Sequence, residues 1–238
     1  MLIDQAGPAC VAVKLQLACY ERLGAPGWTA LRRSADAARD AGLLVIADGK
    51  RGDVPHTAAA YGQALFGSTP TPWGEVEGLG VDAATVNPLL GGDALEALLA
   101  GAERAGAGLF CLVRTSNPGA ADILDLPAPD APVFEHLAGL INERAGRLAG
   151  RSGLSGMGAV VGATEPRHLG RVRELIPRSI LLIPGVGAQG GLVADLRRAF
   201  GEHPASVLVA ASRSIAEASD PRLAAEGIRA ELWELAAG

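Results

Sequence analysis

Short β-rich runs alternate with helix-length stretches along almost the whole chain, and this alternation restricts the fold more than any other feature. The runs are Val11–Lys14, Leu43–Asp48, Ala83–Asn87, Gly108–Val113, Gly158–Gly162, Ile180–Ile183 and Ser206–Ala210. Between them lie helical segments at Trp28–Ala41, Thr57–Leu65, Ala94–Arg104, Phe134–Leu148, Pro166–Leu175 and Leu192–Phe200, and a last one at Pro221–Ala236 closes the chain. Strands separated by helices of this length pair in parallel, because a parallel pair needs a long crossover. At 238 residues the chain suits one α/β domain spanning 1–238. The expected architecture is a TIM-type (β/α)8 barrel.

Seven strands are identifiable where a closed barrel needs eight. Met1–Ala9 holds Asp4, Gly7 and Pro8 and no β-branched run, so the first strand is expected to be missing. The segment Asn117–Pro132, with Pro118, Pro127, Pro129 and Pro132, is the longest irregular stretch and the expected site of mobility.

Composition agrees with buried parallel strands. The chain is 49% hydrophobic but only 4% aromatic, so its core is built from Ala, Val, Leu and Ile. The net charge of −5 and the absence of any basic run longer than a pair exclude a nucleic-acid surface. No signal peptide and no membrane-length apolar run is present, so a soluble cytoplasmic protein is expected. Cys10, Cys19 and Cys111 show no CxxC and no metal-ligand spacing with the four histidines, and are read as reduced core thiols. His136, His168 and His203 are read as solvated surface, as His56 could also be. Trp28, Trp73 and Trp233 are read as packing residues.

The sharpest chemical feature is Asp48-Gly49-Lys50-Arg51-Gly52-Asp53, at the end of an apolar run. In a strand, residues i and i+2 point the same way, so Asp48 and Lys50 should both face the barrel mouth, where such barrels carry their active sites. Flanking carboxylates favour the ammonium form of a lysine, which makes it a suitable general acid for a carbanion. The plainer alternative is a solvated loop of surface ion pairs. Lys14 ends the preceding strand and should face the same mouth. Together Lys14, Asp48, Lys50 and Asp53 could form an alternating chain of charges.

Pro184-Gly185-Val186-Gly187-Ala188-Gln189-Gly190-Gly191 and Ala211-Ser212-Arg213-Ser214 follow the last two strands. In this fold those loops often bind phosphate through backbone N–H groups, with glycines allowing close approach and an arginine adding a charged clamp. A tight turn and a surface ion pair are the alternatives. Arg114-Thr115-Ser116-Asn117-Pro118-Gly119 could read the edge of a heterocycle or could simply be a capping turn.

These motifs together resemble the orotidine 5′-phosphate decarboxylase family, and specifically its long bacterial branch. The resemblance also runs through Ala12–Gln16, Asp48–Thr57, Val86-Asn87-Pro88 and Val161–Thr164. It implies decarboxylation of orotidine 5′-phosphate to UMP and CO2 in pyrimidine synthesis, with no metal and no cofactor. It implies that Lys50 protonates C6, that Asp48 lies beside the departing carboxylate, and that Lys14 holds the charge network and contacts the ribose. Asp53 and Thr57 would reach into a neighbouring subunit's site, so the working unit resembles a homodimer. Ser116 would read the pyrimidine, Pro184 would shape its pocket, and Gln189 and Arg213 would bind the phosphate. The chain departs from the family pattern at Lys14-Leu15-Gln16, where a proline usually follows the lysine, and at Asn87-Pro88-Leu89, where an aromatic often follows. Gly49 and Pro55-His56 are also unusual, and the family's opening strand, ending in an aspartate, has no counterpart; Asp4 is not that residue. Two other readings remain: a Mg2+-dependent sugar-phosphate decarboxylase or aldolase, which would need a further acidic ligand near Asp48, and a non-catalytic nucleotide-binding remnant.

Overall fold

The computed structural model describes residues 2–237, which divide into two compact units. The unit Val11–Leu109 contains β1 (Ala12–Gln16), β2 (Leu44–Arg51), β3 (Ser68–Thr71), β4 (Gly74–Glu77), β5 (Ala83–Val86) and the start of β6 (Gly108–Arg114). β1 and β2 pair in parallel from Ala12 opposite Leu44 to Gln16 opposite Asp48. β2 and β5 pair at Ile46–Ala83 and Ala47–Ala84, and next at Arg51–Val86. Asp48, Gly49 and Lys50 therefore face a single residue, Thr85, across a bulge.

Helices Ala25–Asp40, Pro55–Phe66 and Gly92–Ala105 accompany these strands. The last shows why such a stretch is helical. Its buried residues Ala94, Leu95, Leu98, Leu99, Gly101 and Ala102 form one stripe. It stops at Gly106, whose φ of 67° is left-handed, the usual helix-ending conformation.

The second unit comprises residues 2–10 and 110–237. It holds the rest of β6 with β7 (Ser155–Val161), β8 (Ser179–Pro184) and β9 (Val207–Ala210), again side by side in chain order. β8 pairs in parallel with both β7 and β9. Helices Val133–Arg144, Pro166–Leu175 and Pro221–Ala237 belong here. Arg173, buried with no counter-ion among the described residues, donates to the carbonyls of Ile176, Pro177, Ser179, Ala199 and Ser206, tying together the starts of β8 and β9. Among the described residues no helix is long and apolar enough to cross a membrane.

All seven expected strands are present, and β5 is buried at every residue. Several elements differ from expectation, among them the following. The second helix starts at Pro55 rather than Thr57, because a proline is well accommodated in the first turn, where its missing N–H costs nothing. The stretch Val193–Ala199 is a 3-10 helix, and its buried residues Val193, Leu196 and Ala199 follow a three-residue period. The antiparallel hairpin β3–β4 is an addition: Pro70 argues against a strand, and β4 is exposed throughout, so no alternation of apolar and polar residues marks it. Asn117–Pro132 is not structureless, since it carries a 3-10 turn at Pro118–Ala120 and a short helix at Ala121–Leu124.

Several single-residue expectations are also corrected. Trp28, Trp73 and Trp233 are exposed rather than packed, Trp73 by 92% at the hairpin tip. Of the three free thiols only Cys111 is buried, and burial pushes it up to about 12; Cys19 is exposed. His168 is not solvated: its ring meets Phe134 edge-on at 5.0 Å, and its Nε2 is buried with no hydrogen-bond partner among the described residues.

Candidate active site

In the unit Val11–Leu109, Asp48 is the centre of a charged cluster. Its side chain is only 7% exposed and lies between two ammonium groups, Lys14 Nζ at 2.5 Å from Oδ2 and Lys50 Nζ at 2.6 Å from Oδ1. The Gln16 amide donates to Oδ2 at 3.3 Å, and the buried Thr85 hydroxyl donates to Oδ1 at 2.8 Å. Burial pushes the Asp48 carboxyl up, but the Lys14 and Lys50 ammoniums outweigh it and hold the group below its usual range. The carboxylate thus stays ionised in a nearly dry place, and each of its oxygens is committed to a cation.

Lys14 and Asp48 sit on paired strands, two residues out of register, which is near enough for a long side chain to reach across. Asp48 and Lys50 do share a side of β2, but not through a regular pleat. Lys50 has φ +49°, the one left-handed non-glycine residue among those described.

Asp53 does not join the cluster within the chain. It lies in the loop beyond β2, where its carboxylate accepts the Val54 N–H at 2.8 Å, and no ion pair reaches it among the described residues. The expected alternating chain of four charges is therefore a cluster of three, because the chain has left the strand after Arg51 and carries Asp53 away. Thr57 is exposed on the first turn of the helix Pro55–Phe66. Arg51 is held aside by an ion pair with Glu21 and by the face of Tyr61, 5.4 Å from the ring centre.

In the unit formed by residues 2–10 and 110–237, the ends of β6, β7 and β8 gather a second group. Ser116 donates through its hydroxyl to the Gln189 side-chain oxygen at 2.9 Å, and Thr164 donates to the Ser116 carbonyl at 3.0 Å. Gly162 packs against Ser116 so closely that a Cβ there would come within 2.5 to 2.7 Å of it, so no larger residue fits without displacement. Pro184 ends β8 and accepts the Ala163 N–H at 2.9 Å. The loop after it turns through Gly185, Gly187 and Gly190, with φ of 102°, 76° and 91°, which glycine adopts at little cost. Arg213 is exposed at the start of the turn Arg213–Ala216, with no carboxylate partner among the described residues. Beside it, the Ser214 hydroxyl is buried with no partner among the described residues. Arg114 is not a reader of anything: it is buried and bound at both ends of its fork to Asp125.

Sequence reasoning missed Gln16, Thr85 and the Arg114–Asp125 pair as parts of this architecture. A threonine within a buried strand and a distant aspartate carry no local signal. Their partners are set by strand register and by a loop's path.

Parallel strands in βα order, with charged side chains toward their C-terminal ends, define an α/β-barrel enzyme. The family model of Orotidine 5′-phosphate decarboxylase / HUMPS matches residues 1–228, and the chain belongs to that family. It is 41% identical over 217 residues to an orotidine 5′-phosphate decarboxylase of Rhodopirellula baltica, covering 90% of this chain and 70% of that one. A Thermomicrobium roseum protein of the same name is 42% identical over 235 residues, covering 96% and 75%. Among solved structures, Leishmania donovani OMP decarboxylase superposes with a TM-score of 0.80 at 32% identity, covering all of this chain and 86% of that one.

Proposed function

We propose that this chain decarboxylates orotidine 5′-phosphate to UMP and CO2, a step of pyrimidine synthesis, in the cytoplasm and with side chains alone. One observation carries the reading: a nearly buried, ionised Asp48 held between Lys14 and Lys50. When the bond from C6 to the carboxylate breaks, its electron pair stays on C6 and CO2 leaves. Lys50 then supplies the proton to C6, and its positive charge favours the carbanion before transfer. Lys14 contacts the ribose. Asp48 lies beside the departing carboxylate and orients both lysines, and its negative charge is felt strongly because little water screens it.

Recognition is assigned to the other group. Ser116, fixed by Gln189 and Thr164, reads the pyrimidine edge, and Pro184 walls its pocket. Gln189 and Arg213 take the phosphate, the guanidinium, without an acid partner among the described residues, giving a two-pronged charged contact. Asp53, with no ion pair among the described residues, and the exposed Thr57 serve the active site of a second copy, which makes the working form a homodimer. The metal-dependent alternative gains no support, because both oxygens of Asp48 face ammonium groups that would repel a divalent cation.

The test is conversion of orotidine 5′-phosphate to UMP, followed by loss of the orotate absorbance. The parent chain should turn over, Lys50→Ala should lose at least about a hundredfold in kcat, and EDTA should change neither. A Lys50→Ala variant as fast as the parent would overturn the assignment.

A further inference from the structure

We infer that Thr85 is a positioning residue for the reacting pair Asp48 and Lys50. This rests on the proposed decarboxylase reading of that pair, and it follows from how β2 meets β5. Three residues of β2, Asp48 to Lys50, stand opposite Thr85 alone. Ladder pairing is interrupted there, so the Lys50 N–H has no backbone acceptor opposite it. The Thr85 hydroxyl supplies one, at 3.0 Å. The same oxygen uses its own hydrogen to donate to Asp48 Oδ1 at 2.8 Å. One hydroxyl, on a residue only 1% exposed, therefore fixes the backbone of the proton donor and the carboxylate that faces it.

The backbone it fixes needs fixing. Lys50 is left-handed at φ +49°, a conformation a lysine leaves unless its surroundings hold it. Without that turn the i and i+2 side chains would project in parallel from a pleated strand. With it, the Lys50 ammonium folds back to 2.6 Å from Asp48. The neighbouring Gly49 yields to this path, since a Cβ there would come within 2.5 Å of Leu17 Cδ1. Asp48 keeps Lys14 and Gln16 on its other oxygen, so loss of Thr85's hydroxyl should release Lys50 while leaving the carboxylate anchored.

Thr85→Val keeps the shape and removes both bonds; Thr85→Ser keeps both bonds and removes a methyl. Thermal melts would establish which variants are folded, and Thr85→Ala stands in if valine is not accommodated. The expected result is a kcat lowered on the order of 10- to 100-fold in the hydroxyl-free variant, as for a small misplacement of a reacting group. KM should stay within about threefold, and Thr85→Ser should recover kcat to within about threefold of the parent, since it retains both contacts. A folded hydroxyl-free variant with parental kcat would overturn the inference. So would a Thr85→Ser variant as impaired as Thr85→Ala, which would mean that only packing matters. A Lys50→Ala variant with parental kcat would instead sink the decarboxylase reading itself, whatever Thr85 does.

Discussion

Arg114 and Asp125 are joined by a two-pronged ion pair, Nε to Oδ1 at 2.7 Å and Nη2 to Oδ2 at 3.0 Å, across the loop that follows Ser116. Arg114 also donates to the Thr115 carbonyl at 2.8 Å, so the guanidinium clasps the loop at both ends. Its hydrogen bonds hold the Asp125 carboxyl below the usual range. Removing the more exposed member of such a pair leaves the buried charge uncompensated, at a cost of about 3 kcal/mol. Asp125→Asn should lower the unfolding free energy by roughly that amount, because it strands the buried Arg114, whose side chain is 5% exposed, and Arg114→Met should cost less, because the carboxylate it leaves behind is reached by water. A denaturant midpoint unchanged in Asp125→Asn would show that the clasp carries no stability.

Asp48 should make stability depend on pH in the acid range. Its folded carboxyl titrates below the usual value, so the contribution is complete above about pH 4, the unfolded value. It is lost as pH falls through the lower folded value, where the proton must enter between two ammoniums. The denaturant midpoint of the parent should therefore drop more steeply below about pH 4 than that of Asp48→Asn. Asp125 and Glu135, also lowered, contribute equally to both proteins and cancel in the comparison. Parallel curves would remove Asp48 from the account.

Arg213 should matter for nucleotide affinity and for little else. It is exposed and without an acid partner among the described residues, so removing it leaves no buried charge behind. Losing a two-pronged contact to phosphate should cost roughly 2 kcal/mol, about 30-fold in the Kd for UMP. Arg213→Ala should bind uridine, which lacks the phosphate, as the parent does. Equal UMP affinity in parent and variant would show that the phosphate lies elsewhere.

Asp53 and Lys50 should complement each other across a dimer. Each of Lys50→Ala and Asp53→Ala damages every site of its own homodimer. When the two are unfolded and refolded together, random pairing makes about half the dimers mixed, and a two-fold dimer then has one site with both lesions and one with neither. Activity should recover to about a quarter of the parent level. If mass spectrometry finds mixed dimers and the activity stays at the level of the separate variants, Asp53 serves its own chain and the shared-site arrangement fails.

Much of this is legible in the order of residues. Strand and helix identity follows from local periodicity and from breakers such as Gly106, so the chain alone marks where the seven strands of the βα pattern lie. The lysines and aspartate of the charged cluster are legible too, because strand ends of a βα chain are where such side chains converge. The hairpin β3–β4 is not, since an exposed pair of strands needs no apolar pattern and leaves none to read.

Side-chain chemistry and short-range periodicity are local properties, so the amino-acid order settles which groups are available and which strand carries each. Which of them meet is a property of the folded molecule alone. Lys14 reaches Asp48 through the β1–β2 register, while Thr85 holds Lys50 and Asp48 because a bulge puts three residues opposite one. Asp53, two residues beyond the same strand, is left without an ionic partner among the described residues. Such contacts depend on register, on bulges and on the direction in which a loop departs. Those are set by the packing of distant segments, and no single stretch of sequence encodes them.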